Sequence, residues 1–152
     1  MNVLNLILLP FLARFCLVVM FPFSGYDKIV HWDEAMAQAR TSPLPGPGAL
    51  LIAAIIVEFV TPVCIVLGWH DRLAAFILAG FCFITALLYH PFWNFPDFWR
   101  KEGEGRSHFW DFWKNFGLIG GLLLLVIGGS FAPASFILHH PLSNVPYAAA
   151  QP

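Results

Sequence analysis

The chain has 152 residues, of which 59% are hydrophobic, 16% aromatic and only 11% charged. A soluble domain is about half apolar and about a quarter charged, so this composition excludes a soluble globular protein and indicates a lipid bilayer as the surroundings. The 8 Lys and Arg residues are balanced by 9 Asp and Glu residues, which excludes nucleic acid as a partner because no basic excess is left to bind phosphates.

Four apolar runs approach the length of about 20 residues that a helix needs to cross a bilayer. They cover residues 3–23, 49–67, 73–93 and 112–131, and none shows the polar and apolar alternation of barrel strands. We therefore predict a single transmembrane domain over residues 1–152, all-α, with the fold of an integral membrane four-helix bundle.

The first run is interpreted as a retained helix and not as a signal peptide, because no basic residue precedes it and Arg14 lies in its middle. In the connection that follows, HWDEAMAQAR (31–40) predicts a short interfacial helix before the breaker-rich segment 43–48. The second and third runs are joined by the turn 68–71, so they must be antiparallel neighbours.

Small residues mark one face of the fourth run. Gly117, Gly121 and Gly128 share one helical stripe, which lets a neighbouring backbone approach closely. Lys114 lies three residues before Gly117 on the same stripe, so we expect its ammonium to point at a neighbouring helix or an internal cavity instead of at lipid.

The distribution of basic residues predicts the orientation in the membrane. Lys28, Arg40, Arg100, Lys101 and Arg106 lie in the first and third connections, whereas only Arg72 lies on the other side. By the positive-inside tendency, these two connections face the cytoplasm and both termini face the periplasm.

Arg14 and Glu58 are the ionisable residues predicted to lie deepest in the bilayer. Arg14 is about nine residues from the end of its run and Glu58 about nine from the start of its own, so each lies roughly 13 Å from the same face. Equal depth predicts an ion pair between them, which offsets the cost of burying each charge. The pair has either a structural role in helix packing or a role in handling a ligand or protons.

His90 and Lys114 are expected near that same membrane face, together with Tyr89, Trp93 and Asn115. With Asp27 and Lys28, they outline a polar vestibule leading to Glu58 and Arg14, although His90 could also be a solvated interfacial residue. Trp and Phe residues also crowd the third connection, either as an interfacial belt or as the wall of a site for an amphiphilic ligand.

Metal and haem sites are not predicted. Cys16, Cys64 and Cys82 each stand alone in an apolar stretch, which is typical of packing residues and gives no ligand spacing for a metal. Bis-His haem ligation needs two histidines on facing helices, and His90 alone belongs to a predicted span. Motifs for hydrolysis and nucleotide binding are missing as well.

Several short motifs in chain order resemble the DoxX-like family of small bacterial four-helix membrane proteins. They are Arg14 followed by FSGYDK (23–28), Glu58 followed by Gly68 and RLAA (72–75), HPFW (90–93), and FWKNF (112–116) running into GGLLLL (120–125). The resemblance implies a bacterial inner-membrane protein connected with respiratory or sulfur redox chemistry, because namesake relatives are associated with thiosulfate:quinone oxidoreductase.

Two functions remain open from the sequence. In the first, the chain is the quinone-interacting subunit of a membrane oxidoreductase. Arg14, Glu58, His90 and Lys114 would act on the headgroup and its protons, and the other vestibule residues would bind it. In the second, it is a non-catalytic anchor or assembly subunit that recruits a redox enzyme. Beside the lipid bilayer, the partners left open are oxidoreductase subunits and a second copy of the chain in a homodimer. Small-molecule transport is disfavoured because the sequence shows no inverted repeat.

Overall fold

The computed structural model describes residues 7–96, 98–100 and 102–127, and the regular elements in these ranges are all helical. The helices are α1 (Leu9–Val18), α2 (Met20–Val30), α3 (Trp32–Arg40), α4 (Pro47–Leu67), α5 (Asp71–Tyr89) and α6 (Glu104–Val126), with a short 3₁₀ turn at Phe92–Asn94. Four helical stretches in these ranges are long and apolar enough to cross a membrane: Leu9–Val30, Pro47–Leu67, Asp71–Asn94 and Glu104–Val126. The predicted membrane-spanning helical bundle is confirmed.

Helices α1 and α2 together form the first span. The regular hydrogen bonding is interrupted at Val19, which still has helical dihedral angles (φ −58°, ψ −29°). Pro22 explains the interruption, because it has no N–H to donate to the carbonyl of Val18. The span continues to Val30 and so includes Ser24 and Lys28, which the apolar run ending at residue 23 left in the connection. Residues 3–6 of that run lie outside the described residues.

The predicted helix in the first connection is present as α3. It carries Asp33 and Glu34 in its first turn and Arg40 in its last, which is the charge arrangement that the helix dipole favours. Most of its residues are exposed, but Ala39 is buried where α3 packs on α4. The connection therefore lies against the bundle and closes one side of it.

Helices α4 and α5 form a tight antiparallel hairpin. Gly68 ends α4 with φ +72°, a left-handed conformation that glycine adopts without steric cost, and Trp69 N–H bonds to the Cys64 carbonyl at 2.9 Å. His70 also has a positive φ (49°), and α5 begins at Asp71 directly after it. The predicted tight turn is thus made by two left-handed residues separated by Trp69.

The core lies where α5 meets the other helices. Its buried residues on α5 are mostly small, which lets α4 and α6 approach closely: Ala74, Ala75, Leu78, Ala79 and Cys82. Helix α6 packs along most of α5 and touches α1 much less. It begins at Glu104, earlier than the predicted start at residue 112, and residues 128–131 of that predicted run lie outside the described part of the chain.

Candidate functional site

A cavity of about 230 Å³ lies in one half of the bundle, enclosed by α2, α3, α4, α5 and α6. Its apolar wall includes Met20, Phe21, Leu51 and Phe81. Its polar wall carries the side chains Ser24, Lys28, Gln38, Glu58, Tyr89, His90 and Asn115. The cavity therefore combines an apolar enclosure with several hydrogen-bonding groups, as is typical of small-molecule sites.

Lys28 and Glu58 form an ion pair across this cavity wall. Lys28 Nζ donates to Glu58 Oε1 at 2.8 Å and to Ser24 Oγ at 2.6 Å, and Ser24 Oγ donates to the same Glu58 oxygen at 3.1 Å. Ser24 and Lys28 are four residues apart on α2, so they share the helix face that meets α4. The three side chains make one closed hydrogen-bonded group between two helices.

Glu58 is the most buried charged residue among those described, with 4% of its side chain exposed. Oε1 accepts two hydrogen bonds, whereas Oε2 is buried and has no hydrogen-bond partner among the residues that the structure describes. A buried carboxylate oxygen without a donor is energetically costly, so such an atom calls for an explanation. Glu58 lines the cavity, but Oε2 itself exposes less than 1 Å², so a donor in the cavity would reach it only after the carboxylate turns toward the cavity.

Gly25 allows α2 and α4 to approach closely enough for this group to form. A Cβ atom at Gly25 would lie 2.9 Å from Phe59 Cε2 and 3.3 Å from Glu58 Cβ. Glycine therefore stands where α4 side chains pack directly against the α2 backbone, one residue after Ser24. Helix packing and the geometry of the ion pair are coupled at this point.

The predicted Arg14–Glu58 ion pair is wrong. Arg14 Nη2 donates instead to Asp71 Oδ2 at 2.6 Å, and its Nη1 lies close to Gly68 at the hairpin turn. Arg14 is near the start of the Leu9–Val30 span, so it lies toward the membrane face where α5 begins, away from the cavity. The depth argument failed because it measured Arg14 from residue 23, whereas the helix continues to Val30.

Lys114 is also not in the cavity wall. Its side chain is 71% exposed and its Nζ donates to Asp111 Oδ1 at 3.0 Å, so the inward orientation expected from the glycine stripe is wrong. Gly121 of that stripe does meet a neighbour, since a Cβ there would lie 2.8 Å from Leu17 Cδ1. At Gly117 a Cβ would meet no atom within 4 Å among the described residues, and Gly128 lies outside them.

Of the other predicted site residues, Tyr89, His90 and Asn115 line the cavity with Lys28 and Glu58. Asn115 Nδ2 donates to the backbone carbonyl of Asp111 at 2.9 Å, which leaves its amide oxygen as an acceptor.

Two predicted members of the vestibule lie away from it. The Asp27 side chain is 71% exposed, and its Oδ1 lies 2.9 Å from His31 Nδ1. Trp93 is about half exposed and packs edge-on against Phe92 and Phe112.

The structure adds Ser24, Asp71 and His108 to the residues that the sequence pointed to. Ser24 could have been found from its spacing of four from Lys28, had the first helix been extended through the polar residues. Asp71 carried a weaker signal, as an acidic residue in the first turn of a helix. His108 lies with its Nδ1 at 3.4 Å from His90 Nδ1, a contact across 18 residues that only the packing of α6 on α5 creates.

Within residues 7–96, 98–100 and 102–127, no three His, Cys, Asp or Glu residues come together as a group that could hold a metal ion. Cys64 and Cys82 are buried in the core, while Cys16 is exposed.

Most of the residues that line the cavity lie in a part of the chain that matches a known protein family. The sequence model of the DoxX family matches residues 9–91, which include Ser24, Lys28, Glu58 and His90. Inner membrane protein YphA of Escherichia coli (strain K12) is 28% identical over 118 residues, or 78% of this chain and 81% of the relative. Inner membrane protein YqjF of the same organism is 33% identical over 117 residues, or 77% of this chain and 81% of the relative. No solved structure matches the chain.

Proposed function

The chain belongs to the DoxX family, and on this premise we propose that it is an inner-membrane protein that binds the headgroup of a membrane quinone in the cavity beside Glu58. In this proposal it acts as the quinone-interacting subunit of a membrane oxidoreductase in respiratory or sulfur redox chemistry. The inner-membrane location is inferred from the two relatives, which are both inner membrane proteins.

The observation that carries the proposal is the buried Glu58 Oε2. An ionised carboxylate is only an acceptor, and the described residues supply no donor for its second oxygen, so a ligand that donates a hydrogen bond there would be favoured. The hydroxyl of a quinol is such a donor. Lys28, whose ammonium already holds Oε1, is the matching donor for the carbonyl of the oxidised quinone.

The size of the cavity supports a headgroup and not a whole lipid. Its volume of about 230 Å³ is below the roughly 300–1,000 Å³ of sites that enclose drug-sized ligands. A single substituted ring is therefore the expected occupant, and an attached isoprenoid tail would remain in the bilayer. Helices α2 and α6 both line the cavity but make little contact with each other in the described structure, which provides a lateral route for such a tail.

When bound, a quinone supplies reversible uptake of electrons together with protons. The chain's own residues would orient the ring and set its protonation. Lys28 and Glu58 hold one side through a donor and an acceptor, while Asn115 and Tyr89 offer further polar groups on the opposing helices. Phe21 and Phe81 on the apolar wall exclude water from the ring.

The proposal is tested by titrating the purified full-length protein in lipid nanodiscs with decylubiquinone and its reduced quinol. We expect saturable binding of both forms and a loss of quinol affinity of at least about tenfold in Glu58→Gln, since a hydrogen bond to a charged group contributes about 1.5–3 kcal/mol. Glu34→Gln makes the same chemical change at an exposed position of α3 and should bind as the wild type does. Absence of saturable binding to the wild type would refute the proposal.

A second candidate function is that of an anchor that recruits a redox enzyme. It is favoured by the aromatic surface at the start of α6, where several large side chains are about half exposed or more: Trp93, Trp99, Trp110 and Trp113. Aromatic side chains are enriched at protein interfaces as well as at membrane interfaces. Co-purification from native membranes distinguishes the two functions, because a pure anchor retains a partner enzyme but binds no quinone by itself.

A further inference from the structure

Two histidines meet at the end of the cavity where α5 ends. His90 lines the cavity, and its Nδ1 lies 3.4 Å from Nδ1 of His108 on α6. The ring centroids are 5.7 Å apart and the ring planes are inclined by 50°. A hydrogen bond between two Nδ1 atoms needs one protonated and one bare nitrogen, so this contact is a hydrogen bond only when the two rings differ in Nδ1 protonation. Hydrogen bonds of this kind are often long before a ligand binds.

A second cavity, here called the outer cavity, lies beside this pair and has a volume of about 320 Å³. Its walls include the exposed residues Glu102, Glu104 and Arg106, and also Phe95. The Phe95 ring stacks on His108, with centroids 5.4 Å apart and planes at 27°. His108 does not itself line the outer cavity, but it contacts Phe95 of that wall and also His90 on the wall of the inner cavity.

We propose that the half-buried His108 and His90 form a proton relay from water at the protein surface to the cavity beside Glu58. The inference rests on the proposed function, because the quinone headgroup is the proton acceptor. His108 first takes a proton at Nε2 from water, which makes its ring a cation. It then transfers its Nδ1 proton to Nδ1 of His90, and His90 releases its Nε2 proton to the headgroup, so both rings end neutral. Only protons move in these steps, and the electrons come from the redox cofactor of the partner enzyme.

The charged residues of α6 nearest His90 are paired with each other. Lys114 Nζ donates to Asp111 Oδ1 at 3.0 Å. His108 is only half-buried, so water can reach the outer end of the relay directly.

The relay is tested on the full-length protein in nanodiscs adsorbed on an electrode, with bound decylubiquinone as the probe. We expect His108→Gln to keep quinone affinity but to slow proton-coupled reduction of the bound quinone at least about tenfold. His31→Gln removes an exposed histidine and serves as the matched control with an unchanged rate. Added imidazole should restore part of the rate in His108→Gly.

The outcomes separate this proposal from the proposed function. Normal quinone binding with an unchanged rate in His108→Gln overturns the relay alone, and so does a slow His108→Gly variant that imidazole does not rescue. A wild type that binds no quinone overturns the proposed function and the relay with it. If the variants do not fold, ¹⁵N-histidine NMR of the wild type decides: opposite Nδ1 protonation in the two rings is expected, and bare Nδ1 atoms in both rings overturn the relay.

Discussion

The ion-pair partner of the buried Glu58 carboxylate is determined by which helix packs against α4, and not by depth in the membrane alone. Lys28 reaches it from the adjacent α2, where Ser24 adds a second donor to the same oxygen. Taking both charges out of water is costly, and removing one partner of such a pair costs about 3–5 kcal/mol because the other charge is left uncompensated. Breaking the Lys28–Glu58 pair is therefore costly. Within the described structure, the other carboxylate oxygen, Oε2, is buried without a hydrogen-bond donor.

Substitutions of Arg14 and Asp71 test whether these two residues form an ion pair with each other, apart from Glu58. Both side chains are partly exposed, at 30% and 24%, so we expect Arg14→Gln and Asp71→Asn each to lower the free energy of unfolding by about 1 kcal/mol or less. Quinone affinity should stay unchanged in both, because the pair lies away from the cavity. The measurement is reversible unfolding in mixed micelles combined with the quinone titration. A loss of quinone binding in Arg14→Gln, comparable to that in Glu58→Gln, would contradict the pairing described here.

The sequence identified most cavity residues but not their connections. Glu58, Lys28, Tyr89, His90 and Asn115 could be found because a polar residue in or beside an apolar span is rare and costly unless it has a use. Which cation pairs with Glu58 could not be found, since this depends on where α2 ends. A hydropathy pattern ends at the polar residues, whereas the helix continues because those residues find partners on α4.

At the scale of elements, the contact between α2 and α4 positions the site. Gly25 faces Phe59 and the Cβ atom of Glu58, so the space for a side chain is already filled. Any residue larger than glycine must displace the Phe59 ring or separate the helices. Since Ser24 and Lys28 are on the same helix, their hydrogen bonds to Glu58 would lengthen with that separation.

We therefore expect Gly25→Ala to destabilise the protein by about 1–3 kcal/mol, the usual cost of overpacking, and to weaken quinone binding at the same time. Gly120→Ala is the matched control on α6, because a Cβ there meets no atom within 4 Å in the part of the chain that the structure describes. Unfolding and quinone titration of the two variants give the comparison. Equal behaviour of the two would show that the approach of α2 to α4 does not determine the site.

At the scale of the whole molecule, the four-helix membrane architecture could be predicted because it follows from the length and composition of the apolar runs. The packing order could not, since it depends on shape: small residues on α5 bring α4 and α6 onto it and leave α2 and α6 apart. The cavity is lined by both of these helices, and the lateral route proposed for a quinone tail would lie between them. The placement of both termini in the periplasm remains a prediction from the basic residues.

The most direct test of the central claim is to locate a bound quinone by covalent labelling. The full-length protein in nanodiscs is irradiated with a photoactivatable ubiquinone analogue, and the labelled residues are identified by mass spectrometry. We predict saturable labelling on the cavity wall, at Met20, Phe21, Leu51 or Phe81, that unlabelled decylubiquinone competes away and Glu58→Gln reduces. Labelling confined to the apolar groove between Phe15 and Leu67, or labelling that decylubiquinone does not displace, would contradict a quinone site at Glu58.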